Sequence, residues 1–337
     1  MTARFAWHAD SYDRRLASIR YRLFAPLDAL RRRGVAIEQY QAGRDYAAII
    51  FSKSHSPAAV AAARGARGGG REVIVDLCDN LFAAQRAGHA SGARVARLRE
   101  MLGLATRLTF STATLAGQIA EEVPGLTAPV TVIPDVLDID PPPALPLSLA
   151  ERAALASLRR FHARHAGALH CVWFGKSLGQ ASGYAHIGAA ARELGRFAHP
   201  ATLTIISNDW LGYRAARRRW PVPVTYVPWT LASAPIALAR HRVAVIPLER
   251  NDYTAGKTIN RPATALLAGL GVVADAIPSY EELRPFIALD DWQGGLERYR
   301  QWSDGTAAAL AAGREHLAAA YGADAVAARW HAILEAL

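Results

Sequence analysis

Apolar residues along this chain fall into two alternating rhythms. Short, nearly continuous runs occur at Phe5–His8, Val35–Gln39, Tyr46–Phe51, Val73–Leu77, Leu108–Ser111 and Val130–Ile133. Between them lie segments of helical period, notably Arg20–Arg33, Pro57–Arg64, Ser91–Leu104 and Thr112–Glu122. Short strands alternating with helices predict βα units and a parallel sheet. Runs such as Val73-Ile74-Val75 lack polar alternation, so the sheet is expected to be covered on both faces.

The pattern breaks at Asp138-Ile139-Asp140-Pro141-Pro142-Pro143, where prolines exclude both helix and central strand. A helix near 147–166 follows, then a second series of strands at Leu169–Phe174, Thr202–Ser207, Val224–Val227, Val243–Pro247 and Val272–Ala274. Helices near 304–319 and 323–336 close the chain. The expected fold is α/β, with two Rossmann-like parallel-sheet domains facing a central cleft. Residues 1–140 form the N-terminal domain and 141–320 the C-terminal domain. Residues 321–337 form a C-terminal helix that can return to the first domain. Ligands are expected outside the carboxyl ends of the strands.

A length of 337 residues suits two domains, and 51% hydrophobic with 20% charged residues describes a globular protein. Cys78 and Cys171 are far apart and lie in apolar runs, which points to a reducing compartment and no zinc site. Met1-Thr2-Ala3-Arg4-Phe5 runs straight into strand-like sequence, and no apolar run reaches the ~18–20 residues that span a bilayer. A cytoplasmic protein is expected, with peripheral contact at the inner face of an anionic membrane as a further option.

The net charge of +10 favours anionic partners. Nucleic acid is disfavoured, because the arginine clusters at 31–33 and 217–219 are not interleaved with aromatics and no zinc-finger spacing occurs. Of 39 lysine and arginine residues, only Lys53, Lys176 and Lys257 are lysines. Each stands at a strand end or helix start, which points to an anion site where a compact ammonium is needed.

The densest candidate is Gly256-Lys257-Thr258-Ile259-Asn260-Arg261, between an apolar strand and an Ala/Leu-rich helix. Helix amides favour phosphate there, and Lys257 and Arg261 at i and i+4 are expected to share a face. A P-loop needs glycine five residues before Gly256, where Asn251 stands.

The second half resembles the nucleotide-binding domain of GT-B glycosyltransferases of the retaining, GT4-like group. The residues that carry the resemblance run in order: Val172-Trp173-Phe174-Gly175, Ile205-Ile206-Ser207-Asn208, Val227-Pro228-Trp229, Val245-Ile246-Pro247, Lys257–Arg261, and Ala268-Gly269-Leu270-Gly271-Val272-Val273. Asp76-Leu77-Cys78-Asp79, Thr109-Phe110-Ser111-Thr112 and Val132-Ile133-Pro134-Asp135 are similar to the N-domain and hinge strands of the same fold. The resemblance implies a hexosyltransferase that uses a nucleotide-diphosphate sugar as substrate, with no cofactor and no metal. Its acceptor would be a glycan of a surface polysaccharide or a lipid-linked glycan. It further implies that Gly175 admits the donor to the backbone, Trp229 borders the base, Lys257 and Thr258 hold the diphosphate, and Arg261 assists. Lys176, Asn208, Tyr253, Asn260 and Tyr280 complete the expected donor set.

Two departures qualify it. GT4 enzymes carry two glutamates, where this chain has Gly256 and Thr264, and the usual glycine-rich loop after the first strand is missing. A non-catalytic GT-B scaffold and a sugar-nucleotide epimerase therefore stay open. On the acceptor side, Ser18 is expected to cap a helix, leaving Arg20 and Arg22 at its start, with Lys53 nearby. His8, Asp76 and Asp79 end strands and are the candidates for orienting or deprotonating an acceptor hydroxyl.

Overall fold

A computed structural model describes residues 4–139, 145–175 and 184–337. The chain divides into two compact units. The first comprises Met1–Asp138, Ala255–Thr258 and Ala318–Leu337, and the second Ile139–Thr254 and Ile259–Leu317.

The first unit is built on six parallel strands: β1 (Phe5–His8), β2 (Ile37–Gln39), β3 (Ala48–Ser52), β4 (Glu72–Leu77), β5 (Arg107–Phe110) and β6 (Val130–Val132). Their order is β2-β1-β3-β4-β5-β6, so the winding reverses between β1 and β3. Strand β3 is buried along its whole length because helices cover both faces. The terminal helix Ala323–Glu335 lies against helix Ala25–Arg32, and Trp330 packs edge-on to Trp7 at 4.9 Å. Residues 321–337 thus belong to the first unit.

The polypeptide between β1 and β2 is one helical rod with a defect. Segments Ala17–Ile19 and Ala25–Arg32 flank a π-helical turn, Arg20–Phe24, in which the Ala25 amide bonds the Arg20 carbonyl. Pro26 has no N–H for the Arg22 carbonyl, and widening the turn absorbs that loss. The defect leaves Arg22, 2% exposed, directed into the protein. Its Nε donates to Asp76 Oδ2 at 2.9 Å, its Nη2 pairs with Asp76 Oδ1, and its Nη1 donates to the Ile133 carbonyl (2.8 Å) and Asp135 (2.9 Å). Asp76 is also bonded by the hydroxyls of Ser52 (2.5 Å) and Thr109 (2.7 Å), and Trp7 Nε1 donates to Ser52 at 2.7 Å.

The second unit repeats the plan with β7 (Leu169–Phe174), β8 (Ala201–Ser207), β9 (Val224–Pro228), β10 (Val243–Ile246), β11 (Gly271–Ala274) and β12 (Ala288–Leu289). The order β12-β11-β10-β7-β8-β9 places its reversal between β7 and β10. Beneath this sheet His162 stacks on His170 at 4.0 Å and meets His241 edge-on at 4.8 Å. His241 Nδ1 lies 2.9 Å from the Ala237 carbonyl, to which it can only donate, so its Nε2 accepts from Thr204 at 2.7 Å. Burial pushes the pKa of His241 down to about 3, with His162 adding to the effect, and that of His162 down to about 4.

Two outcomes are expected. Arg22→Met strands a buried carboxylate and should lower stability by about 3–5 kcal/mol, read by urea denaturation. The unfolded chain takes up protons near the ordinary histidine pKa, whereas native His241 stays neutral until far lower pH. Stability should therefore fall as pH drops below about 6.5, by roughly 2 kcal/mol for His241 between pH 7 and pH 5. His241→Gln should show a smaller fall in urea midpoint over that range.

Candidate functional site

At the carboxyl edge of the first sheet, the residue after β3 has a strained backbone. Lys53 adopts φ 50°, a left-handed conformation that side chains other than glycine rarely take. Its ammonium donates to Asp79 Oδ2 at 2.6 Å and to Ser18 Oγ at 3.3 Å. Lys257 binds the other oxygen of the same carboxylate. Burial pulls the Asp79 carboxyl upward in pKa, but Lys257 and Lys53 outweigh it and hold the group well below the usual range. Two ammonium groups on one carboxylate leave this edge with net positive charge.

Lys257 reaches Asp79 because Gly256 lies tight against helix Ala113–Glu122. A Cβ at Gly256 would meet Gln118 Oε1 at 2.8 Å and Leu115 Cδ1 at 3.3 Å, and Thr112 donates to the Gly256 carbonyl at 3.2 Å. A side chain at position 256 would therefore collide with this helix. Thr258 donates to Asp135 at 3.3 Å.

Beside this cluster, His8 Nδ1 lies 2.6 Å from Ser54 Oγ, and Ser54 is 3.3 Å from Asp10. Burial lowers the pKa of His8, with Asp10 opposing, so the ring is neutral at pH 7. Burial pushes the Cys78 thiol up to about 12, so Cys78 is protonated beside Asp79.

In the second unit, Gly175 follows β7 at the sheet reversal with φ 141°. A Cβ there would meet the Arg261 guanidinium at 3.1 Å. Arg261 stands in the first turn of helix Asn260–Leu267, with its Cζ 5.5 Å from the Trp173 ring centroid. Burial lowers its pKa, opposed by Tyr280, which is 3% exposed in the 3-10 turn Pro278–Leu283. A guanidinium stays charged in such surroundings, so a cation is held at low dielectric beside the backbone of Gly175.

A cavity of about 550 Å³ opens at the ends of β8 and β9, lined by Asn208, Trp210, Tyr226, Pro228, Trp229, Ala154 and Ser157. Tyr226 donates to the Ser207 carbonyl at 2.6 Å and the Trp229 amide to the same carbonyl at 2.8 Å, which fixes the aromatic walls. Tyr253 lies in the short helix Asp252–Ala255, whose start Asn251 caps through the amides of Tyr253 and Thr254.

The structure corrects several expectations. Lys257 and Arg261 do not share a helix face, because the helix begins only at Asn260. Arg22 cannot meet an acceptor and Asp76 cannot take its proton, since both are buried and committed to each other. Asp79 is ion-paired with two lysines, which makes it a poor base. Ser18 is not a cap: Leu16 holds that position, and the Ser18 hydroxyl receives Lys53 instead. Arg20 donates to the Arg14 carbonyl at 2.9 Å and lies over the Tyr21 ring. Lys176 lies outside the described residues. Asn208 and Trp229 do share one cavity, and Gly175, Arg261 and Tyr280 form one group. Sequence reasoning missed Arg94, Arg97 and Asp10 in the first unit and Trp210 and Tyr226 in the second. None stands in a recognisable motif.

Among the described residues, no group of three or more His, Cys, Asp or Glu side chains is placed to hold a metal ion, and no helix is long and apolar enough to cross a membrane.

Two six-stranded parallel sheets with helices on their faces are the fold of GT-B glycosyltransferases. A glycosyltransferase from Rickettsia africae is similar over 98% of this chain and 97% of its own, with TM-score 0.59 and 9% identity. A UDP-forming trehalose-phosphate synthase from Burkholderia xenovorans is similar over 86% of this chain and 73% of its own, with TM-score 0.55 and 13% identity. TarM from S. aureus, in complex with fondaparinux, α-GlcNAc-glycerol and UDP, matches 84% of this chain and 54% of its own, with TM-score 0.54 and 10% identity. At such identities the likeness is one of fold. No protein-family model and no curated protein sequence matches the chain.

The strain at Lys53 gives a direct test. Lys53→Gly relieves the left-handed backbone and Lys53→Ala does not, so the glycine variant should be the more stable by about 1 kcal/mol. Equal urea midpoints for the two would contradict the strain.

Proposed function

We propose that this protein is a glycosyltransferase. It binds a nucleoside-diphosphate sugar at the carboxyl edge of the second sheet and an acceptor at that of the first. The bond between the anomeric carbon and the diphosphate breaks, the acceptor oxygen bonds that carbon, and the acceptor hydroxyl gives up its proton. The observation that carries this reading is the Arg261 guanidinium held beside Gly175 at the sheet reversal, where open α/β sheets bind ligands. A leaving diphosphate gathers negative charge, and a desolvated cation with helix amides stabilises it. This arrangement supports metal-independent transfer; retention of configuration is what the GT4 resemblance adds.

The cavity of Asn208, Tyr226 and Trp229 suits a nucleobase, which stacks on aromatic rings and bonds an amide. In the first unit His8 is neutral and is the residue proposed to take the acceptor proton. Asp79 holds Lys53 and Lys257 in place. The exposed pair Trp210 and Leu211, followed by the arginines at 217–219, supports peripheral contact with an anionic membrane.

Thermal stabilisation by UDP, GDP, ADP and CDP tests the donor site. A nucleotide at ~100 times its dissociation constant should add roughly 2.7 kcal/mol. Gly175→Ala and Arg261→Ala should abolish that shift, the first by strain and displacement of Arg261. No shift from any nucleotide in the unaltered protein would favour a non-catalytic scaffold.

A further inference from the structure

A second cavity, of about 420 Å³, opens at the carboxyl edge of the first sheet. Its wall includes Asp10, Ser18, Lys53, His55, Arg94 and Arg97. Arg94 and Arg97 stand one turn apart on helix Gly92–Leu104 and so share a face. Among the described residues, each guanidinium donates only through its Nε: Arg94 to His55 Nε2 at 2.6 Å, and Arg97 to the His55 carbonyl at 2.9 Å. Among the described residues, neither guanidinium pairs with a carboxylate.

His55 completes the pattern. Accepting from Arg94 at Nε2 obliges the ring to carry its hydrogen on Nδ1. That Nδ1 is buried and has no hydrogen-bond partner among the described residues, in a residue 5% exposed. Burial and the adjacent Arg94 push the His55 pKa down to about 4, so the ring stays a neutral donor at pH 7.

Asp10, the one carboxylate on the wall among the described residues, is already engaged. Asp10 accepts from the amides of His55 (2.9 Å) and Ser56 (3.3 Å) and the hydroxyl of Ser54 (3.3 Å), at the start of helix Pro57–Gly68. Lys53 shares the Asp79 carboxylate with Lys257, so Lys53, Lys257, Arg94 and Arg97 against Asp10 and Asp79 leave this edge two positive charges in excess. A phosphate monoester carries about −1.5 to −2 at pH 7 and three acceptor oxygens, which suits guanidinium groups on one face. A carboxylate would leave one positive charge unmatched.

We propose that this cavity binds the phosphate monoester of a phosphorylated acceptor. That the phosphate belongs to an acceptor rests on the transferase reading; phosphate binding itself does not. Calorimetric titration of the full chain at constant ionic strength tests it, with inorganic phosphate, glucose 6-phosphate, glucuronate and glucose as probes. Inorganic phosphate and glucose 6-phosphate should bind, glucose should not, and glucuronate should bind at least tenfold more weakly than glucose 6-phosphate. Arg97→Gln, which spares the bond that orients His55, should weaken phosphate binding about tenfold or more, with Arg97→Lys intermediate and UDP affinity unchanged in both. The proposal is overturned by absence of binding from either phosphate probe, by equal affinity for glucuronate and glucose 6-phosphate, or by unaltered phosphate affinity in Arg97→Gln. Phosphate binding that survives where no nucleotide binds would sink the transferase reading and leave the phosphate site intact.

Discussion

The buried pair of Arg22 and Asp76 holds the first unit in register. Asp76 sits on β4, Ser52 on β3, Thr109 on β5 and Trp7 on β1, and all join one hydrogen-bonded network. Ile133 and Asp135, just beyond β6, accept the third arm of the guanidinium. Desolvating both charges is costly, and such a pair survives only when its polar atoms are satisfied. Here both carboxylate oxygens are bonded twice. An apolar replacement could fill the space, but it would lose the directional bonds that tie four strands and a helix to one point.

That point governs the carboxyl edge. Asp79 follows Asp76 by three residues, so fixing the end of β4 fixes where Asp79 emerges. Two of the three lysines then converge on it from different parts of the sequence. A point-like ammonium lets two cations share one carboxylate, each taking one oxygen; a guanidinium fork would tend to claim both oxygens at once. The scarcity of lysine in this arginine-rich chain thus has a structural counterpart, and the lysines did mark a charged centre. What composition could not show was the partner. An ammonium expected on a ligand phosphate is held instead by the protein's own carboxylate.

Most strands were legible because burial on both faces writes an uninterrupted apolar run, as in β1 and β7, whose bounds coincide with those runs. β12 has two residues and no pattern to read. Side-chain roles were harder. Ser18 followed by helical sequence satisfies the usual cap grammar, yet the rod starts two residues earlier than such a cap implies and the hydroxyl meets Lys53. Arg20 and Arg22 look equivalent in sequence, but the π turn imposed by Pro26 sends Arg22 inward. Arg94 and Arg97 read as ordinary cations of an amphipathic helix. Only the fold brings them beside His55.

The two sheets share a further device at their reversals. In each, the residue directly after one of the two strands bordering the reversal has positive φ: Lys53 after β3 and Gly175 after β7. A chain leaving a strand in that conformation turns sharply, keeping its backbone at the sheet edge where ligands bind. In the second sheet the space is needed by Arg261, so glycine is the fitting residue and the sequence announces it. In the first sheet the turn must also deliver a cation to Asp79 and Ser18, and glycine cannot do that. The chain accepts backbone strain at Lys53 to place the ammonium, with the contacts to Asp79 and Ser18 offsetting it. The same geometric demand is therefore visible in sequence at Gly175 and hidden at Lys53, because only the turn of the first sheet must carry charge on the turning residue itself.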